Sequence, residues 1–120
     1  MIICVSSKFD SAHYLPDYDG KCNRIHGHTW HVEFRVMGPP SNHSSNTGMV
    51  MDFTEAKKLL NEVIDKLDHQ HLNEFVDNPT CESIAMFIAG EMKDKMQGKL
   101  PVFRIRVKEG EGGWAQTDWL

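Results

Sequence analysis

Strict two-residue alternation in "HTWHVEFRVM" constrains this chain more than any other feature. His28, Trp30, Val32, Phe34 and Val36 fall in one row, and Thr29, His31, Glu33 and Arg35 in the other. Successive strand side chains point to opposite faces, so the segment reads as a strand with one buried and one wet face. "IICVSSKFDSAH" repeats the pattern with Ile3, Val5, Ser7, Phe9, Ser11 and His13 in one row. "VFRIRVKE" does so again, setting Phe103, Ile105, Val107 and Glu109 against Arg104, Arg106 and Lys108. Strands of this kind build an antiparallel sheet that needs cover on one side.

Two helical segments can supply the cover. "DFTEAKKLLNEVIDKL" places Phe53, Ala56, Leu60, Val63 and Leu67 at helical spacing, with Asp52 and Glu55 reading as a capping box. "TCESIAMFIAGEMKDKM" brings Ile84, Phe87, Ile88 and Met92 to one side, and Gly98 and Pro101 are expected to stop it. Residues 14–25, with Pro16, Asp17, Asp19 and Gly20, read as a loop, as does "GPPSNHSSNTG", where His43 is expected to be solvated. After "GEGG" turns the chain, "WAQTDWL" can return as a final strand. The order is ββααββ without repeats or a linker. It predicts one α+β domain over residues 1–120, an antiparallel four-stranded sheet with both helices on one face. Such a sheet leaves two unpaired edges, which favours oligomerisation.

The formal charge of −4 and a pI near 5.9 argue against a general nucleic-acid or anionic-membrane binder. Apolar runs fall short of a bilayer span, and "MIICVSSKFD" lacks the apolar core of a signal peptide. Cys4, Cys22 and Cys81 are an odd count without CxxC spacing, unlike a disulfide scaffold. These features predict a reduced, cytoplasmic protein.

Seven histidines direct the search for chemistry. His26 and His28 project from one strand face about 6.6 Å apart, close enough to share an ion. His13 ends the buried row of the first strand and lands beside them if the two strands form a hairpin. Gly27 leaves the opposite face open to a close neighbour. Three imidazoles suit zinc and leave a fourth position for water or substrate. The same spacing also suits ordinary polar strand residues.

Cys22 stands four residues before His26, and Lys21 and Arg24 beside it favour a thiolate. Three roles stay open for it: fourth ligand, free base, or small loop hydrophobe. In "LDHQHLN", Asp68 can orient His69 past a helix end and raise its basicity, while His69 and His71 form a rival histidine pair. Glu109 continues a row whose other members want burial, so its carboxylate needs a partner. A ligand edge with two parallel N–H donors, such as an aminopyrimidinone, is one. "NPTCES" reads as a helix start with Thr80 at its mouth, where free N–H groups can hold an anion or a ring carbonyl.

Together, "FDSAH" (9–13), "CNRIHGH" (22–28), "GMVMDF" (48–53), "LDHQHLN" (67–73), "NPTCE" (78–82) and "VKE" (107–109) resemble the 6-pyruvoyltetrahydropterin synthase / 6-carboxytetrahydropterin synthase family. The matches span most of the chain in the family's order. The resemblance implies the tunnelling fold, with subunits closing into a barrel and assembling as a hexamer of two trimeric rings. It implies zinc on His13, His26 and His28, and Cys22 as a catalytic thiol rather than a ligand. Asp68 and His69 become a second acid–base unit, supplied across a subunit boundary. Glu109 becomes the anchor for the pterin's N–H groups, and Thr80 a further substrate contact.

The C-x3-HGH spacing looks like the bacterial 6-carboxytetrahydropterin synthases of the queuosine and 7-deazapurine pathway. The implied lyase reaction converts 7,8-dihydroneopterin triphosphate to 6-carboxytetrahydropterin, acetaldehyde and triphosphate. The alternatives are a pyruvoyl-forming or aldolase-like activity, a non-catalytic zinc-containing pterin-binding oligomer, or a structural zinc domain using Cys22. The chain departs from the family pattern at Gly110, where threonine is usual, at Trp30 and His31, and in a tail without the common late tyrosine.

Overall fold

The computed structural model describes residues 1–42, 47–97 and 102–120. Strands β1 (Ile2–His13) and β2 (His26–Met37) form the first hairpin. Helices α1 (Phe53–Leu67) and α2 (Cys81–Lys95) follow, then β3 (Val102–Glu109) and a short β4 (Trp114–Gln116). The sheet order is β1-β2-β3-β4, each neighbouring pair antiparallel. Edges are therefore left at β1 and β4. The expected ββααββ order and the four-stranded antiparallel sheet with two helices are both present. His43, Gly98 and Pro101 lie outside the described residues.

Alternation decides which face is covered. Phe9, Trp30, Val32, Phe34, Val36, Phe103, Ile105 and Val107 are buried on one side of the sheet. Against them α1 buries Ala56, Leu60, Val63, Ile64 and Leu67, and α2 buries Ile84, Ala85, Ile88, Ala89 and Met92. Burying each large apolar side chain of this set contributes about 1.5–3 kcal/mol before entropy is charged against it. Phe53, expected on this face, is instead 62% exposed. It opens α1, one turn before the helix meets the sheet. Asp52 does cap that helix, through the backbone N–H of Thr54 at 2.7 Å.

β4 is only three residues long, yet the tail stays on β3. Thr117 N–H donates to Ile105 O at 2.9 Å, and Phe103 and Leu120 exchange backbone hydrogen bonds of 3.1 and 2.7 Å. Among the described residues, no helix is long and apolar enough to cross a membrane.

Candidate metal centre

The β1–β2 register sets His13 directly opposite His26 and Ser11 opposite His28. All three imidazoles therefore reach one end of the hairpin, with ring centroids 4.6–5.2 Å apart. β2 also pairs Trp30 with Glu109, which carries the Glu109 carboxylate to the same end. Glu109 Oε1 lies 3.1 Å from His28 Nε2, and Oε2 lies 3.9 Å from His13 Nε2. One donor atom from each of His13, His26, His28 and Glu109 falls within 4.8 Å of all the others.

Two backbone carbonyls orient the rings. His13 Nδ1 is 2.8 Å from Pro79 O, and His26 Nδ1 is 2.6 Å from Arg24 O. A carbonyl only accepts, so Nδ1 carries the proton in each ring and Nε2 keeps its lone pair. Burial, the largest influence, lowers the pKa of His13 and favours the neutral ring a metal requires. The buried Nε2 atoms of His13 and His28 make no hydrogen bond. For His28 this holds despite the nearby Glu109 oxygen, which is close in distance but poorly aligned for a hydrogen bond. Buried polar nitrogens without partners are costly. Two of them converging beside a carboxylate fit a divalent cation.

Trp30 forms the floor of the cluster. Fully buried, it meets His13 and His28 edge-on at 4.9 and 5.5 Å, and its Nε1–H donates to Ser11 O at 3.2 Å. Sequence reasoning set Trp30 in the row beside His28 but missed this supporting role. It also missed the Pro79 carbonyl, which only the docking of α2 brings under His13. For Gly27, a Cβ would meet Ser11 O at an ordinary 3.9 Å, so among the described residues no group approaches it closely.

Cys22 sits on a 3-10 turn, Lys21–Asn23, held in part by Leu15 N–H donating to Cys22 O at 2.8 Å. Its thiol lines a cleft of about 350 Å³ with Lys21, Arg24, Ile25, His26, His28 and Glu109. It is not among the four clustered donors. Gly110 closes the same end at φ +54°, a conformation costly for the threonine usual there, and its N–H donates to Thr29 O at 3.0 Å.

Asp68 and His69 do form a pair, with Asp68 Oδ2 2.9 Å from His69 Nδ1. Their segment docks on the outer edge of β1. Asp10 N–H donates to Asp68 Oδ1 at 2.9 Å, His69 N–H donates to Asp10 O at 2.6 Å, and Ala12 N–H donates to Gln70 O at 3.0 Å. The Asp10 N–H, followed by His69, lowers the Asp68 pKa. Neither residue lines the Cys22 cleft of its own chain. His71 bridges to Ala12 and leans on Tyr14, with ring centroids 5.6 Å apart, and among the described residues it joins no metal group with His69. Thr80 caps α2, its Oγ1 accepting from Ser83 N–H at 3.1 Å.

A family model described as 6-pyruvoyl tetrahydropterin synthase matches residues 2–118. A protein of Archaeoglobus fulgidus, provisionally named 6-carboxy-5,6,7,8-tetrahydropterin synthase, is 41% identical over 97% of this chain and 94% of its own length. A 6-carboxy-5,6,7,8-tetrahydropterin synthase of Synechocystis is 37% identical over 78% and 75% of the two chains. A dihydroneopterin monophosphate aldolase of Pyrococcus furiosus is 32% identical over 98% and 96%. Among solved structures, the 6-pyruvoyl tetrahydropterin synthase of Caenorhabditis elegans superposes with a TM-score of 0.86 at 24% identity, covering 98% of this chain and 94% of the other.

Proposed function

The chain belongs to the 6-pyruvoyl tetrahydropterin synthase family, and from that membership we propose that it is a zinc-dependent 6-carboxy-5,6,7,8-tetrahydropterin synthase. Its substrates are 7,8-dihydroneopterin triphosphate and one water, and its products are 6-carboxytetrahydropterin, acetaldehyde and triphosphate. The product feeds queuosine and other 7-deazapurine biosynthesis. One observation carries the reading: two buried imidazole nitrogens without partners, His13 Nε2 and His28 Nε2, belong to a four-donor group whose members His26, His28 and Glu109 line a cleft with Cys22.

His13, His26 and His28 hold the zinc, which when bound supplies a Lewis acid that lowers the pKa of the substrate's side-chain hydroxyls. Glu109 takes the pterin's amino and ring N–H groups as parallel donors, seating the ring at the mouth of the cleft. Thr80, at the α2 N-terminus beside the Pro79 carbonyl, adds a contact to the ring. Cys22 Sγ receives a proton from one side of the substrate's side chain. His69 works from the other: Asp68 accepts its Nδ1–H, leaving Nε2 free to take or return a proton. Since Asp68 and His69 stand at the β1 edge, the pair completes the cleft of a neighbouring copy. A hexamer of two trimeric rings, with sheets joined edge to edge into a barrel, is the assembly this reading requires. Residues 1–120 act as one domain within it.

The test is incubation of zinc-loaded protein with dihydroneopterin triphosphate and identification of the products by mass. Equal amounts of 6-carboxytetrahydropterin and acetaldehyde are expected. A pterin that retains all three side-chain carbons overturns the reading in favour of the pyruvoyl-forming reaction. The near full-length similarity to a dihydroneopterin monophosphate aldolase favours one further alternative. In that case a phosphorylated aldehyde is released and no triphosphate appears.

A further inference from the structure

The sheet face turned away from the helices carries a cluster that this chemistry does not use. Lys8 on β1 is paired with His31 on β2, and His31 with Lys108 on β3, while Trp114 of β4 completes the row. Neighbouring strands lie about 4.8 Å apart, so three basic side chains start within roughly 10 Å of one another. His31 stands between the two lysines, so three N–H donors line up across the sheet. The carboxylates nearby are turned mostly to other partners. Glu33 is shared by Arg35 at 3.0 Å and Arg106 at 3.4 Å. Asp10 accepts from Thr29 Oγ1 at 2.5 Å. Glu111 reaches Lys108 only at 3.8 Å and is itself almost wholly exposed.

These residues line a groove of about 690 Å³, joined by Lys57 and Arg106. It shares no lining residue with the Cys22 cleft. The whole chain is acidic at −4, so a cationic groove runs against its composition. Its lining carries Lys8, Lys57, Arg106 and Lys108 against the two carboxylates Glu33 and Glu111, and an excess of cations concentrates anions.

We propose that this groove binds a polyphosphate chain, with Lys8, His31 and Lys108 donating to successive phosphate oxygens. Lys donates through its ammonium, and His31 has an N–H to offer in either protonation state. Each contact is charge-assisted, because the phosphate oxygens carry negative charge. Trp114 marks one end of the groove. Its indole is 54% exposed and carries the Arg106 guanidinium 4.0 Å from its ring centroid. The other ring face is where the base of a nucleoside polyphosphate would stack. The site does not depend on the reaction proposed above.

Calorimetric titration of the zinc-loaded protein with sodium triphosphate, at fixed ionic strength, tests it. The Lys8→Gln/Lys108→Gln variant is expected to bind about tenfold more weakly or worse. Lys21→Gln/Arg24→Gln, in the metal cleft, is expected to keep this binding event. Lys8→Gln alone, at an exposed position, gives roughly a threefold loss and serves if the double variant melts differently from the parent. ATP run in parallel separates the ligands: tighter binding that is lost in Trp114→Ala identifies a nucleoside polyphosphate, and equal binding the phosphate chain itself. The proposal is overturned if sulfate at equal ionic strength binds as well as triphosphate, if the parent does not bind, or if the loss follows Lys21 and Arg24 instead.

Discussion

His69 is the described non-glycine residue with positive φ, at 56°. That backbone places Cβ close to the following carbonyl, which costs an L-residue about 1–2 kcal/mol. The conformation is imposed from both sides. Its own N–H donates to Asp10 O at 2.6 Å, and the preceding Asp68 carboxylate accepts from Asp10 N–H at 2.9 Å. Replacing His69 by Ala and by Gly removes the imidazole in both cases, so the difference between the two isolates the backbone. Glycine escapes the steric cost but loses about 0.4–1 kcal/mol through its freer unfolded chain. His69→Gly should therefore be more stable than His69→Ala by about 0.8 kcal/mol, the middle of those two ranges. Urea unfolding, with equal slopes for the two variants, reads this as a shift in midpoint. Turnover should fall in both variants by about 10²–10⁴-fold, the usual contribution of a positioned acid–base group. An Ala variant as stable as the Gly variant refutes the strain argument. A Gly variant that keeps full turnover refutes the role given to the imidazole.

Three further outcomes are expected. Cys22→Ala should keep its zinc and lose turnover while His28→Ala loses zinc; metal analysis of the purified variants checks this, and the reverse pattern makes the thiol a ligand. Trp30→Phe should destabilise by roughly 2 kcal/mol, from lost volume and the lost indole N–H bond to Ser11 O, and weaken zinc retention in chelator competition. Because the folded pKa of Asp68 is depressed, its stabilising contribution is complete above the ordinary value of 3.8 and is lost as pH falls through the depressed one. Asp68→Asn should accordingly flatten the acid limb of a stability–pH curve, and an unchanged limb refutes that linkage.

Much of the site was legible because alternation is a property of a single strand. His26 and His28 share a face whatever they pair with, and His13 ends the buried row of its own strand. Glu109 was visible as a carboxylate in an apolar row, but not its approach to His28. That approach depends on the β2–β3 register, which pairs Trp30 with Glu109. The helical spacing found the buried stripe of α1 yet wrongly included Phe53, because periodicity does not say where a helix first touches the sheet. The Asp68–His69 pair was legible as neighbours, but its seat on the β1 edge rests on hydrogen bonds to Asp10, 58 residues away from Asp68.

From the order of residues alone came the ββααββ elements, the wet and buried faces, and the imidazoles able to share an ion, since each follows from the local geometry of a pleat or a turn. Folding decided that Pro79 O would orient His13, that Glu109 would join the three rings, and that Cys22 would stand beside them outside the cluster. Those meetings join segments far apart in the chain, so they are set by strand register and helix docking, which no local pattern encodes.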